Sequence, residues 1–401
     1  MEKSYEDEEY KDFQEEVRAH LQNSNMASAA AKIQEFLEKK KNIHLNIAIT
    51  GETGSGKSTF VNAIRGVDNW DERAAPTGVK ETTMAVTPYL HPNFPNVTFS
   101  DLPGVGTMAF PAARYLKLVG FEKFDFFIII SADRFTENDV KLAKDIQRMK
   151  KKFYFIRSKI DQDINNESRC QRGFSEERTL TQIRINCVQG LRGQGFKDPQ
   201  VFLVSSFDLP LYDFALLAET LERELPEHKK EAFLFAMPNI SLEVIKKKKK
   251  AFHSNIKYLA ALSAAVAAAP VPGLSASSDA VLLAAVVTRY VIGFGLDIPS
   301  LQRLSNCTGI PLDELFKVIK SPLAVEKVTF NLMLKLLAEC ANKAAALVGE
   351  EASKFIPFIG IPVAMTLSFT TTYKGLSIFL DMLAADAQRV FERSLGQKTK
   401  G

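Results

Sequence analysis

The feature that most narrows what this chain can fold into is the junction between the apolar run LNIAIT, residues 45–50, and the octapeptide Gly51-Glu52-Thr53-Gly54-Ser55-Gly56-Lys57-Ser58. An uncharged run of this length reads as a buried parallel strand, and the periodic segment 57–65 reads as a helix. A Gly-x4-Gly-Lys-Ser spacing between strand and helix demands a tight turn, whose glycines let backbone N–H groups face inward. The helix N-terminus adds the positive end of its dipole, so the turn can cradle phosphate oxygens. Lys57 then supplies a mobile charge to the β and γ phosphates, and the Ser58 hydroxyl can bind Mg2+. The predicted phosphate contact runs from Gly51 through Thr59.

A strand–loop–helix of this kind needs neighbours. The runs NVTFS before Asp101, DFFIIIS from Asp125, KFYFIRS from Lys152 and VFLVSS from Val201 have the same buried-strand character. Between them, 137–150 and 175–188 carry helical periodicity with charged outer faces, which completes repeated βαβ units. The expectation is an α/β P-loop domain with a doubly wound, mostly parallel sheet.

A chain of 401 residues exceeds one ordinary core, which implies two units. After Pro226 strand signals fade and helical stripes such as Leu376, Phe379, Leu383, Ala387 and Val390 take over. At the other end Tyr10, Phe13, Val17 and Leu21, then Ile33, Phe36 and Leu37, make two stripes around Asn23-Ser24-Asn25, which reads as a helical hairpin. The expected division is a helical segment at 1–41, the α/β domain at 42–225 and a helical domain at 226–401, with an all-α domain built from both terminal segments.

Three further motifs follow strands in order. Asp101-Leu102-Pro103-Gly104 places a carboxylate where ligands collect in such sheets, so Asp101 can hold Mg2+ through a water and the Gly104 N–H can meet the γ phosphate. In Ser158-Lys159-Ile160-Asp161 the carboxylate can accept two hydrogen bonds from the N1–H and N2–H2 edge of guanine, while the Lys159 stem covers the ring. Adenine lacks that edge. Ser205-Ser206-Phe207 offers backbone N–H groups to the guanine O6. The ordered set points to GTP and GDP as ligands with Mg2+ as cofactor. Ser158 stands where many GTPases carry Asn or Thr to brace the phosphate loop, and serine reaches less far.

One catalytic part is absent from the sequence. Val105 follows Gly104 where small switch GTPases carry a glutamine that orients water, so an isolated monomer should hydrolyse GTP slowly. Loop 78–83 is the place for a remedy, with Thr83, or less favourably Thr82, closing on Mg2+. Glu81 is there to position water or meet a facing nucleotide, or is simply a solvated carboxylate.

Composition excludes several classes. With 46% hydrophobic and 24% charged residues the chain is neither disordered nor a many-pass membrane protein. A formal charge of +4 gives no field that favours nucleic acid. Cys170, Cys187, Cys307 and Cys340 show no metal-ligand spacing and read as reduced cytosolic thiols. The acidic start MEKSYEDEEYKDF lacks a signal-peptide pattern, and Glu2 occupies the position where N-myristoylation needs glycine. Two uncharged stretches, 258–278 and 355–373, approach spanning length, but Pro270, Pro272, Pro357 and Pro362 interrupt them. They read as buried helices, an inserting hairpin or, least well, a span. The lysines at 246–250 either meet anionic headgroups or line a solvated helix face.

GETGSGKSTFVNAIRG, GVKETT, HPNFPNVTFSDLPGVGT, FDFFIIISADRF, KKFYFIRSKID, VFLVSS and LPEHKKEAF stand in order. With them the chain closely resembles the immunity-related GTPases, the interferon-inducible family with a lysine-containing P-loop, over roughly residues 30–395. The resemblance implies GTP-bound subunits that self-associate through their nucleotide faces, hydrolyse cooperatively and assemble on intracellular membranes in cell-autonomous immunity. It also implies that Glu81 and Thr83 match the family's catalytic-interface glutamate and switch threonine. The expected location is cytoplasmic, peripheral to intracellular membranes and independent of an N-terminal myristoyl group. The competing expectation is a slow switch or adaptor driven by an external activator.

Overall fold

The computed structural model describes residues 5–78, 85–103, 115–133, 135–268, 276–340, 361 and 365–396. They divide into two compact units, one spanning His44–Ser241 and the other combining Met1–Ile43 with Leu242–Gly401.

In the first unit a 6-stranded sheet has the order β2-β3-β1-β4-β5-β6. The strands are β1 (Leu45–Gly51), β2 (Thr87–Leu90), β3 (Val97–Asp101), β4 (Phe126–Ser131), β5 (Lys152–Arg157) and β6 (Val201–Leu203). All pairings are parallel except β2 with β3. From β1 the chain passes to β3 on one side and to β4 on the other, which makes the end of β1 the topological switch point where such sheets bind ligands. β4 is buried along its whole length because successive side chains enter cores on both faces. On one face Phe127, Ile129, Phe155 and Leu203 pack with Val140 and Ile146 of helix Glu137–Arg148 and Leu191 of helix Glu176–Gly193.

Several elements of this unit escape the sequence reading, helices Tyr115–Val119 and Phe214–Glu224 among them, and two bear on the site. β2 alternates half-buried and exposed positions and contains Pro88, which an edge strand tolerates. Helix Ile160–Cys170 begins within the predicted base-reading motif and carries few apolar residues, so its period is faint. The unit also extends beyond the boundary expected at 226. Helix Glu227–Ala236 packs on β1 and β3, with Phe235 stacked 6.1 Å from Phe94 and Lys229 paired to Asp125 at 2.5 Å. Apolar burial thus binds this helix to the sheet.

The second unit joins chain segments that are remote in sequence. Helices Tyr5–Gln22 and Met26–Lys41 form the hairpin, turning at Ser24 with φ +56° and capped by Asn25, whose side chain accepts from Ser28 N at 3.2 Å. Phe13 stacks on Phe36 at 4.0 Å, and both meet the ring of Tyr258 edge-on. Tyr258 lies on helix Leu242–Ala268, which packs along helix Thr366–Leu395.

Of the two uncharged stretches, 258–268 lies in that packed pair with Ala260, Ala261, Leu262, Ala264 and Ala265 buried, and in the other Phe369 and Tyr373 are buried. Residues 269–275, 355–360 and 362–364 lie outside the described residues. Among the described residues, Val281–Thr308 is long and apolar enough by composition to cross a membrane, with 33% of its most apolar window buried, but it is broken into helices Ala276–Gly293 and Ile298–Thr308, and the sequence reading did not single it out. The lysine run forms no single basic face, because consecutive helical residues point in different directions. Lys248 is buried and donates to the Gly293 carbonyl at 2.9 Å, and Lys249 pairs with Asp381 at 2.7 Å.

Gly51 is the most crowded of the described glycines. Its φ is +140°, and a Cβ there would lie 2.0 Å from the Ile130 carbonyl oxygen of the adjacent strand. Gly51→Ala should therefore destabilise the nucleotide-free protein by at least about 2 kcal/mol, seen as a lower urea midpoint for the sheet-containing unit. An unshifted midpoint would mean that β1 and β4 can part without cost.

Candidate functional site

The sheet registers bring the predicted motifs to one edge. Ile49 pairs with Asp101, Gly51 with Ile130, and Arg157 with both Ser131 and Leu203. The five parallel strands end here, and the loops after β1, β3, β5 and β6 carry the candidate residues.

After β1 the backbone turns through Gly54 and Gly56 at φ +81° and +90°, conformations that a side chain would strain. Helix Lys57–Arg65 starts at once, with Gly56 as its N-cap and no side-chain cap, leaving its first N–H groups directed at the turn. Lys57 is 7% exposed and its Nζ donates to the Glu52 carbonyl at 2.8 Å, which holds the ammonium within the loop. Residues 51–59 thus occupy the strand-to-helix turn that their spacing predicts.

Ser58 Oγ donates to Asp101 Oδ2 at 2.5 Å. A hydroxyl and a buried carboxylate converging beside the phosphate turn form a hard-oxygen pair suited to Mg2+, which the donor chemistry therefore fits. Asp101 is 1% exposed and sits at the last position of β3.

Tyr115, which the sequence reading passed over, ties two of these elements together. Its hydroxyl lies 2.8 Å from Thr50 Oγ1 and donates to the Pro103 carbonyl at 2.9 Å. Burial pushes its phenol well above the ordinary range, so it stays protonated and able to donate. Nothing in the local sequence marks this tyrosine, because its partners are brought to it by the sheet.

Ser158 reaches the phosphate turn despite its short side chain. Its Oγ donates to the Ser55 carbonyl at 2.7 Å and lies 3.2 Å from the Ser131 carbonyl. Lys159 adopts φ +59° and caps helix Ile160–Cys170, whose first turn holds Asp161. The Lys159 Cε lies 3.9 Å from where a Cβ on Gly56 would be, so the two loops are neighbours. Ser205 is buried, its Oγ accepts from Phe207 N at 3.2 Å, and Phe207 is exposed. Ser206 lies between them. Glu81, Thr83 and Gly104, with Thr82 and Val105, lie outside the described residues.

Asp139 is a second residue missed from sequence, although Thr136 three positions earlier is a readable capping signal. Its Oδ2 accepts from Thr136 N at 3.1 Å and Oγ1 at 3.0 Å, whereas its buried Oδ1 has no hydrogen-bond partner. Burial pushes the carboxyl up to about 6, with the negative field of Glu52 adding to the rise and Lys57 opposing it.

Comparison with known proteins gives one consistent pattern. The family model described as interferon-inducible GTPase matches residues 11–394. Interferon-inducible GTPase 5 of Bos taurus is 42% identical over 96% of this chain and 82% of its own length. Interferon-inducible GTPase 1 of Mus musculus is 42% identical over 76% of this chain and 74% of its own. T-cell-specific guanine nucleotide triphosphate-binding protein 2 of Mus musculus is 35% identical over 95% and 90%.

Ser158→Ala should weaken GDP binding roughly fivefold, the equivalent of about 1 kcal/mol for one neutral hydrogen bond, in a fluorescent-nucleotide titration. Unchanged affinity would show that the contact to Ser55 carries no binding energy. Asp139 gives a pH effect. Its folded carboxyl titrates near 6 against 3.8 for an unperturbed aspartate, so the native state binds the proton more tightly. Stability should therefore rise as pH falls from 7 through 6 towards 4, by up to about 2–3 kcal/mol relative to Asp139→Asn. Parallel unfolding midpoints for both proteins across that range would contradict this.

Proposed function

The chain belongs to the interferon-inducible GTPase family and hydrolyses GTP, and from that premise we propose that its sheet edge is the nucleotide site and that GTP-loaded copies pair across it. The observation that carries the reading is the Ser158 contact to Ser55, which locks the base-reading loop onto the phosphate turn at 2.7 Å. A brace between loops more than 100 positions apart holds both at the spacing that one ligand touching both requires.

In this reading the N–H groups of residues 51–59 hold the phosphates, and Lys57 leaves the Glu52 carbonyl to meet the β and γ oxygens. Ser58, and Asp101 through a water, hold Mg2+ with Thr83; when bound, the ion neutralises charge on the transferring phosphoryl group. Gly104 N–H meets the γ phosphate. Asp161 accepts the two N–H groups of guanine, Lys159 covers the ring, and the N–H groups of Ser205, Ser206 and Phe207 face O6.

Chemistry at the γ phosphate needs a water in line, and Val105 can neither donate to it nor accept from it. Glu81 on a loop brought against a second copy supplies the missing group, so hydrolysis follows self-association. The same assembly concentrates the helical units on an intracellular membrane, where avidity replaces tight single contacts. The role is cell-autonomous immunity, in keeping with the family's interferon-inducible description.

GTP turnover per mole of protein should rise at least about tenfold from the lowest to the highest concentration at which the protein stays soluble, and Glu81→Ala should flatten that rise. A slow rate independent of concentration in both proteins would favour a switch driven by an external activator.

A further inference from the structure

A buried guanidinium lies directly behind the base-reading loop, and the nucleotide reading gives it no task. Arg157 closes β5 and is 6% exposed. Its Nη1 donates to the Ser158 carbonyl at 2.8 Å and to the carbonyl of Ala132, and its Nη2 meets Asp163 Oδ2 at 2.6 Å. One planar group thus ties together the end of β5, the loop after β4 and the first turn of helix Ile160–Cys170.

The loop it holds is conformationally demanding. Lys159 sits at φ +59° and ψ +29°, a left-handed geometry that costs energy for any residue with a Cβ and persists only where its surroundings impose it. On one side Arg157 pins the carbonyl that precedes Lys159. On the other, Asp163 N donates back to the Lys159 carbonyl at 3.2 Å while the Asp163 carboxylate is held by the same arginine. Ile160 N is bound to the Val204 carbonyl at 3.3 Å, which fixes the helix start to the loop after β6. Asp161 is therefore placed between two residues, Lys159 and Asp163, whose positions depend on one guanidinium.

We propose that Arg157 is a positioning residue for base recognition: through Asp163 and the Ser158 and Ala132 carbonyls it sets where the Asp161 carboxylate stands, and so fixes guanine selectivity. The proposal rests on the reading that Asp161 accepts the guanine N1–H and N2–H2. A bidentate pair tolerates little displacement, so a loosened loop loses the base contact before it loses the phosphates. Lysine can replace the arginine only in part, since a single ammonium lacks the planar fork that spans these acceptors.

The test is the affinity of the full chain for GDP, inosine diphosphate and xanthosine diphosphate, with inorganic triphosphate as a base-free probe. Inosine lacks the 2-amino group, so the ratio of GDP to inosine diphosphate affinity reports the Asp161 contact directly. Arg157→Gln should lower GDP affinity roughly tenfold and shrink that ratio at least about threefold, leaving triphosphate binding unchanged. Arg157→Lys and Asp163→Asn should shift the ratio in the same direction by less. Asp161→Asn, run alongside, should turn preference towards xanthosine diphosphate.

If Asp161→Asn behaves so while Arg157→Gln weakens all ligands equally, or none, Arg157 is only a structural residue and the proposal fails by itself. If Asp161→Asn leaves base preference untouched, the reading of the loop fails and takes the proposal with it. Should Arg157→Gln not fold, as judged by thermal unfolding without nucleotide, the milder pair decides: a preserved ratio in both overturns the assignment.

Discussion

The close approach of Gly51 to the Ile130 carbonyl is the constraint on which the whole ligand edge depends. β1 must stay hydrogen-bonded to β4 up to its last residue and then turn immediately into the phosphate loop, and the available space admits no Cβ. Because β1 is central and pairs on both sides, any shift at Gly51 would pass to β3 and Asp101 as well as to β4. The position of Ser58 against Asp101 is thus set by backbone packing in the sheet.

Around that fixed point the loops are tied by polar side chains that reach across the edge. Tyr115 joins the exits of β1 and β3, Ser158 joins the exit of β5 to the phosphate turn, and Arg157 binds loops after β4 and β5. All three are buried, so each hydrogen bond works in a low local dielectric, where a displaced partner leaves a costly unpaired group. Such bonds contribute modestly to stability but define geometry sharply. Asp139 is the counterexample, since its orphan oxygen and raised titration point make the native state less stable when ionised.

The helical unit is stabilised differently. Alanines at 260, 261, 264 and 265 are buried on helix Leu242–Ala268, which packs on helices Thr366–Leu395 and Met26–Lys41, with Ser263 within 3.1 Å of Thr372. Small side chains permit close helix approach, so a run of low hydrophobicity can still be a well-packed interior. The aromatic contact of Phe13, Phe36 and Tyr258 then fastens the N-terminal hairpin to this helix. Lys248 shows how far tertiary packing overrides charge: burial drives its ammonium down to about 7 while it donates to the end of a neighbouring helix.

The sequence by itself determined the strand–turn–helix at 45–65, the order of the four loop motifs, the five strands with apolar-rich runs and the stripes of the helical segments, because these follow from local spacing and periodicity. It even fixed the family, since seven phrases stand in order. The edge strand β2 and helix Ile160–Cys170 were illegible, for their burial is partial and supplied by distant neighbours. The same holds for helix Glu227–Ala236, whose allegiance to the sheet depends on Phe94 and Asp125. Tyr115 and Arg157 carry no motif, and the fold brings their distant partners to them. Periodicity is a property of neighbours along the chain, whereas a buried hydrogen bond between residues far apart in sequence exists only after the sheet has brought both to one edge.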